Sequence, residues 1–198
     1  CLKRIRRVRD FRLASKNPAT RKLAEFPLSF HNMRLPDSAY LAIPEVSSER
    51  RAYIPIAFLP PKVMASNLLK VVEGATLYHF GVLTSNVHMA WVRAVCGRLK
   101  SDYRYSAVIV YNNFPWPKAT EAQKSAIERT ANAILDARSK YKGETFSALY
   151  DPLTMPEGLQ RAHRDNDHAV MRLYGLPAKD IEESRIVASL MSGYLALS

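Results

Sequence analysis

Apolar positions change their period several times along this chain. Leu2, Ile5, Val8 and Leu13 recur near helical spacing among Lys3, Arg4, Arg6, Arg7, Arg9 and Arg12. That pattern predicts a basic helix ending near Ser15, ahead of Asn17-Pro18. A second short helix is predicted from Thr20 to Glu25. From Phe26 to Pro61 prolines stand at 27, 36, 44, 55, 60 and 61. The apolar runs between them, Tyr40–Ile43 and Tyr53–Leu59, predict short strands. Pro55 makes the second an edge strand or a bulge. Ser47-Ser48-Glu49-Arg50-Arg51 reads as the hairpin loop joining the two. Residues 61–73 look helical, closed by Gly74, and Leu77–Leu83 reads as a strand. Ser85 is placed to N-cap a helix carrying Val87, Trp91, Val92 and Val95, with Gly97 at its C′ position. A β-patterned stretch from Gly97 leads into Ala107–Tyr111, an apolar run predicted as a strand. Asn112-Asn113-Phe114-Pro115-Trp116-Pro117 ends it as a packing turn, with Phe114 and Trp116 in the core.

After Pro117 the period becomes helical throughout. Thr120 and Gln123 form a capping box ahead of a stripe of Ile127, Ala131, Ile134 and Leu135, ending near Gly143. A second helix is predicted from Pro156 to Tyr174, stopped by Gly175. A third begins near Lys179 and carries Ile181, Ile186, Leu190 and Tyr194. The fold class expected is therefore α+β, with a mixed α/β part over 1–118 and a small all-helical part over 119–198.

Charge follows the same division. Residues 1–118 hold 19 Lys and Arg against 7 Asp and Glu, and residues 119–198 hold 10 against 11. The first part thus carries +12 and the second −1, out of a total of +11. An excess confined to one part points to a polyanionic partner there. No apolar run approaches the roughly 20 residues of a bilayer span, and no signal-peptide pattern opens the chain. Two cysteines, Cys1 and Cys96, suggest a reducing compartment. A first residue other than methionine suggests a piece of something longer.

Candidate chemistry is sparse. With seven glycines the chain has no phosphate-cradling loop. No Ser nucleophile sits in an elbow motif and no cysteines have zinc spacing. His163, Asp167 and His168 cluster in sequence but read as a solvated helical face, with Asp167 and His163 paired across one turn. No catalytic, cofactor or metal residue is therefore assigned. One stretch does carry a specific chemical pattern. Lys100, Asp102 and Arg104 alternate with Ser101, Tyr103 and Tyr105. In an extended chain they would share one face. A lysine can donate to guanine O6 and N7 while an aspartate accepts from the cytosine amino group, so the pair suits one G·C base pair. The plain alternative is a surface ion pair of little energetic weight. The cations of the first helix are candidates for phosphate contact, or for docking on a neighbouring domain.

Three ordered blocks give a family resemblance. They are Phe80 to Trp91, Gly97 to Ser106, and Tyr111 to Pro117, supported by Ser47–Arg51 with Tyr53–Ile56. Together they resemble the target recognition domain of MmeI-like restriction–modification enzymes. The tail, through Leu149–Leu153, Ala162-His163, Ala169-Val170 and Tyr174-Gly175, resembles the helical C-terminal domain that follows it. The resemblance implies a module that reads double-stranded DNA for a larger adenine-N6 methyltransferase and endonuclease. It implies that S-adenosylmethionine and Mg serve an N-terminal methyltransferase/nuclease region of the same polypeptide, not these residues. Lys100 and Asp102 fall where relatives vary their specificity residues. Arg104, Asn86 and His88 are further candidates for base contact, and Arg50, Arg51, Arg98, Arg7 and Arg12 for the DNA backbone. A cytoplasmic bacterial or archaeal setting follows, with no membrane partner. The alternative is a stand-alone basic nucleic-acid-binding or regulatory protein.

Overall fold

The computed structural model describes residues 1–30, 35–178 and 181–197. They fall into two units, Cys1–Pro36 and Asp37–Ser198. In the first, α1 (Leu2–Leu13) is followed by α2 (Pro18–Lys22) and a 3-10 turn over Leu23–Glu25. Pro18 occupies the first turn of α2, where its missing N–H goes unneeded. Asn17 Oδ1 accepts from Ala19 N at 2.9 Å to cap it. Arg12 closes this unit. Its guanidinium donates to the carbonyls of Leu23 at 2.8 Å, Phe26 at 2.7 Å and Ser29 at 2.7 Å. Arg12 is thereby corrected from a phosphate contact to an internal fastener, because its donors already hold backbone oxygens.

The second unit holds two small antiparallel sheets and six helices among the described residues. In one sheet β1 (Tyr40–Pro44) lies between β3 (Ala57–Leu59) and β4 (Leu69–Val72). Tyr40 pairs with Leu59, and Leu41 with Val72. The other orders β2 (Val46–Ser47), β6 (Asp102–Arg104) and β5 (Gly97–Leu99). The helices are α3 (Leu77–Leu83), α4 (Asn86–Val95), α5 (Glu121–Ser139), α6 (Phe146–Leu149), α7 (Glu157–Leu173) and α8 (Glu183–Leu195). Lys179, the expected start of the last helix, lies outside the described residues.

Several expectations are corrected here. Residues 61–73 do not form a helix. Leu69–Val72 instead fill the open edge of β1, whose buried backbone needs a partner. In Tyr53–Leu59 only the last three residues are strand, since Pro55 offers no N–H. Ser47–Arg51 is not a simple hairpin loop, because Val46–Ser47 first pairs with β6 in the other sheet, but the chain then returns and β3 pairs antiparallel with β1 as the two apolar runs suggest. Leu77–Leu83 is helical: Thr76 and His79 form a capping box, with Thr76 N donating to His79 Nδ1 at 3.1 Å. Tyr78, Phe80, Val82 and Leu83 are all buried, so no polar face marks the helical period. Ala107–Tyr111 winds into a single π turn, with Asn112 N donating to Ala107 O at 2.8 Å. Gly97 opens β5 and takes no left-handed φ, so it is not a helix C′ residue.

The helical caps after residue 118 form as expected. Thr120 and Gln123 cap α5, and Gly175 (φ +68°) terminates α7. The His163–His168 segment is not a solvated face. His163 and Asn166 have no exposure, and Asp167 is 5% exposed. Nor do Asp167 and His163 pair. The Asp167 carboxylate accepts from Tyr53 Oη at 2.6 Å and from Asn86 N, at the start of α4, at 2.7 Å. His163 stacks on Tyr53 with ring centroids 4.0 Å apart.

Arg138 completes the buried polar layer. Its guanidinium donates to Ile56 O at 2.6 Å and, through Nε and Nη2, to the Tyr150 hydroxyl, with Nε at 2.7 Å. That hydroxyl therefore gives its own proton to His163 Nε2, 2.8 Å away, which leaves the ring proton on Nδ1. The faces of Phe80, Phe146 and Tyr150 surround the cation at 5.0–5.2 Å.

Close approach of α3 to α5 requires glycine at one point. A Cβ on Gly81 would stand 2.5 Å from Ile127 Cγ2 and 3.2 Å from the Ala131 Cβ. Ile127 is β-branched and fully packed, so it has little room to yield. Gly81→Ala is expected to cost about 1–3 kcal/mol by overpacking, read as a lower midpoint in thermal or urea unfolding. An unchanged midpoint would show that the α3–α5 contact has slack.

Candidate nucleic-acid interface

In the β5–β6 hairpin all of β5 and Arg104, the last residue of β6, are exposed, while Tyr103 is buried. Leu99 pairs with Asp102, so only Lys100 and Ser101 make its turn. Lys100 takes φ +57°, a conformation that L side chains adopt at a cost of about 1–2 kcal/mol. This corrects the expectation that Lys100 shares a strand face with Asp102. It stands at the tip, while Asp102 and Arg104 share the outer face of β6. Tyr103 and Tyr105 point inward and are buried. Two-residue hairpin loops favour positive φ because it matches the twist of the strands, and here a lysine accepts that conformation.

Each candidate side chain has a definite placement. Asp102 Oδ1 accepts from Glu49 N at 3.3 Å, which ties the turn after β2 to the hairpin. Arg98 lies across the Tyr103 ring at 4.2 Å and donates to Ser101 O at 3.0 Å. Arg104 Nε reaches Glu45 at 3.3 Å, and Lys70 Nζ reaches the same carboxylate at 2.8 Å. These two cations, Lys70 foremost, hold the pKa of Glu45 below the usual carboxylate range. The Arg104 side chain is still 61% exposed. Arg50 is exposed on the turn after β2, and Arg7 is exposed on α1. Arg51 is half-buried and donates to Ser147 Oγ at 3.0 Å, so part of its guanidinium is already committed.

Two base-contact candidates are corrected. His88 has no exposure. Its Nε2 lies 3.0 Å from the Tyr105 hydroxyl, and Phe114 meets its ring edge-on at 4.6 Å. It supports the inner face of the hairpin from behind. Asn86 is half-buried, with Nδ2 directed at Met171 Sδ, 3.4 Å away. Its backbone N–H is taken by Asp167. Both residues sit on the first turn of α4, whose apolar surroundings turn them inward. Sequence reasoning missed Glu45 altogether, because nothing local marks an acid that two distant cations will clasp.

Among the described residues no three His, Cys, Asp or Glu gather where a metal ion could sit. No described helix is long and apolar enough to cross a membrane. The hairpin presents Lys100 at its exposed tip, a half-buried Asp102 with one carboxylate oxygen beyond its bond to Glu49 N, and flanking arginines.

Residues 1–118 match the family of MmeI target recognition domains, and residues 119–198 match the family of MmeI C-terminal domains. This chain belongs to the MmeI family. It is 45% identical to the type IIL restriction–modification enzyme MmeI in its solved complex with DNA, with a TM-score of 0.92. That likeness covers 99% of this chain and 26% of MmeI. DNA methyltransferase A of Bacillus subtilis (strain 168) is 40% identical over 183 residues, which is 92% of this chain and 21% of the relative. The chain thus spans between a fifth and about a quarter of the proteins it matches. The mixed α/β part followed by a helical part agrees with the fold of MmeI.

Burial of His88 and His163 sets an acid limit on this support. Burial lowers both pKa values from 6.5 to about 3. Below pH 6.5 the unfolded chain takes up two protons that the folded chain refuses, so stability falls as pH drops towards 3. Asp167 runs the other way. Burial raises its pKa from 3.8 to about 7, against the pull of Tyr53 and the Asn86 N–H. Between pH 7 and 3.8 it offsets roughly one histidine. The melting temperature is expected to fall on acidification below pH 6.5, more steeply in Asp167→Asn and less steeply in His88→Gln. Identical slopes in all three proteins would refute this assignment of the titrating groups.

Proposed function

We propose that this chain is the sequence-reading region of a larger S-adenosylmethionine-dependent adenine-N6 DNA methyltransferase with restriction activity, and that it positions the catalytic region on its site. The observation that carries this reading is the β5–β6 hairpin. It offers Lys100 and Asp102 outward on a chain whose whole length matches two adjacent domains of a DNA-bound restriction–modification enzyme. A two-stranded β-ribbon fits the major groove, about 12 Å wide. Lys100 donates to guanine O6 and N7, and Asp102 accepts from the cytosine amino group. Arg104, steadied by Glu45, is the third base-reading side chain. Arg98, Arg50 and Arg7 hold phosphates, with Arg51 contributing the donors that Ser147 leaves over.

Residues 1–118 act as the recognition domain and 119–198 as its helical support. S-adenosylmethionine and Mg are assigned, as the family resemblance implies, to an N-terminal methyltransferase/nuclease region of the same polypeptide. The target adenine would be flipped into a pocket there, at a few kcal/mol of unstacking. The protein works in the cytoplasm. A stand-alone regulatory protein is the less favoured reading, since both matched domains serve a modification enzyme.

The test is the double substitution Lys100→Glu with Asp102→Arg in the full-length protein. It reverses the order of donor and acceptor along the hairpin. It is expected to change the preferred base at one position of the modified site, by about 1–3 kcal/mol of discrimination, while leaving the other positions alone. Sequencing of the methylated sites checks this. An unaltered site in an active variant would overturn the role of the pair.

A further inference from the structure

Beside the hairpin lies an open cleft of about 410 Å³. Arg104, Lys70 and Glu45 line it together with Val108 and Ile109 of the π turn. Val108 is 70% exposed and Ile109 50% exposed. Single exposed apolar residues are ordinary. This pair differs in how firmly it is held. Ser106 Oγ accepts from Ile109 N at 3.3 Å, Trp91 Nε1 donates to Val110 O at 2.9 Å, and Val110 itself is fully buried. Two stiff β-branched side chains are therefore aimed outward from a pinned backbone. The turn that aims them is π-helical, a distortion that recurs at functional sites.

The surroundings select the occupant. Four cations stand at this end of the fold, Lys70, Arg98, Lys100 and Arg104, against Glu45, which two of them already neutralise, and Asp102. A cationic rim around an apolar pair suits duplex DNA, whose major groove offers one apolar group, the thymine C5-methyl. The π turn begins three residues after Arg104, and Arg104 lines the same cleft as Val108 and Ile109.

We propose that Val108 and Ile109 form an apolar contact for a thymine methyl in the site that the hairpin reads, adding a preference for T at one position. This rests on the reading of the hairpin as the groove-entering element.

The experiment uses the full-length protein and the duplex it selects from a random pool. Each thymine is replaced in turn by uracil, which removes only the methyl group. One replacement is expected to weaken wild-type binding about fourfold, the worth of one buried methyl group. Val108→Ser with Ile109→Ser should bind the thymine duplex that much less well and should treat thymine and uracil alike. Val108→Thr, which keeps the shape, should fall between. The proposal is overturned if no uracil position matters, if the serine variant still distinguishes the two bases, or if it weakens every duplex equally. Uracil sensitivity that depends on residues 108 and 109 upholds the contact even if the Lys100/Asp102 exchange leaves the site unchanged. A shifted site with no uracil effect removes this contact and spares the hairpin.

Discussion

Burying the Arg138 guanidinium commits the second unit to one arrangement. A cation at 7% exposure needs its donors filled and its charge balanced. Here an aromatic surround and neutral oxygens do that work, with no carboxylate in hydrogen-bonding contact among the described residues. The partners come from far apart in the chain: Ile56 before α3, Tyr150 after α6 and, through Tyr150, His163 on α7. Tyr53 then stacks on His163 and donates to Asp167, which caps the start of α4. Residues of the first family region and of the second thus share one continuous polar layer. Removing one member would leave several buried groups unmatched, at about 1–3 kcal/mol each.

That layer also explains how the cations divide. Arg12, Arg93 and Arg138 bind backbone oxygens, a glutamate or a tyrosine within the fold. Arg50, Arg98 and Lys100 remain at the surface, close to the hairpin or the turn after β2. Net charge therefore overstates the electrostatic reach of the first part. What matters is which guanidinium groups still have donors facing water.

Legibility in the sequence followed the presence of a water-facing side. The long helices α5 and α7 leave a polar face in solvent, so their extents are readable from Thr120, Gln123 and Gly175, whereas the single turn of α6 is too short to show a period. Leu77–Leu83 and Ala107–Tyr111 are not readable, because nearly every side of α3 is buried and the apolar run of the π turn has the composition of a strand. The Ser106 cap was the available signal for that turn. The stretch from Gly97 reads as a single strand, and its two-residue turn is invisible, since lysine is not a residue that announces a left-handed φ. The roles of Asn86, His88 and His163 depended on long-range packing that no local spacing encodes.

Alternation along β6 has a consequence for how such a protein can change. Tyr103 and Tyr105 anchor the strand inward, while the residues between them and at the turn touch little of the core. Outer residues can be exchanged without disturbing the tyrosines, His88 or Phe114 beneath them. The hairpin thus behaves as a replaceable label on a permanent mount. On the role proposed for Lys100 and Asp102, a change in what is recognised needs one or two codons, while selection for folding acts on a different set of positions.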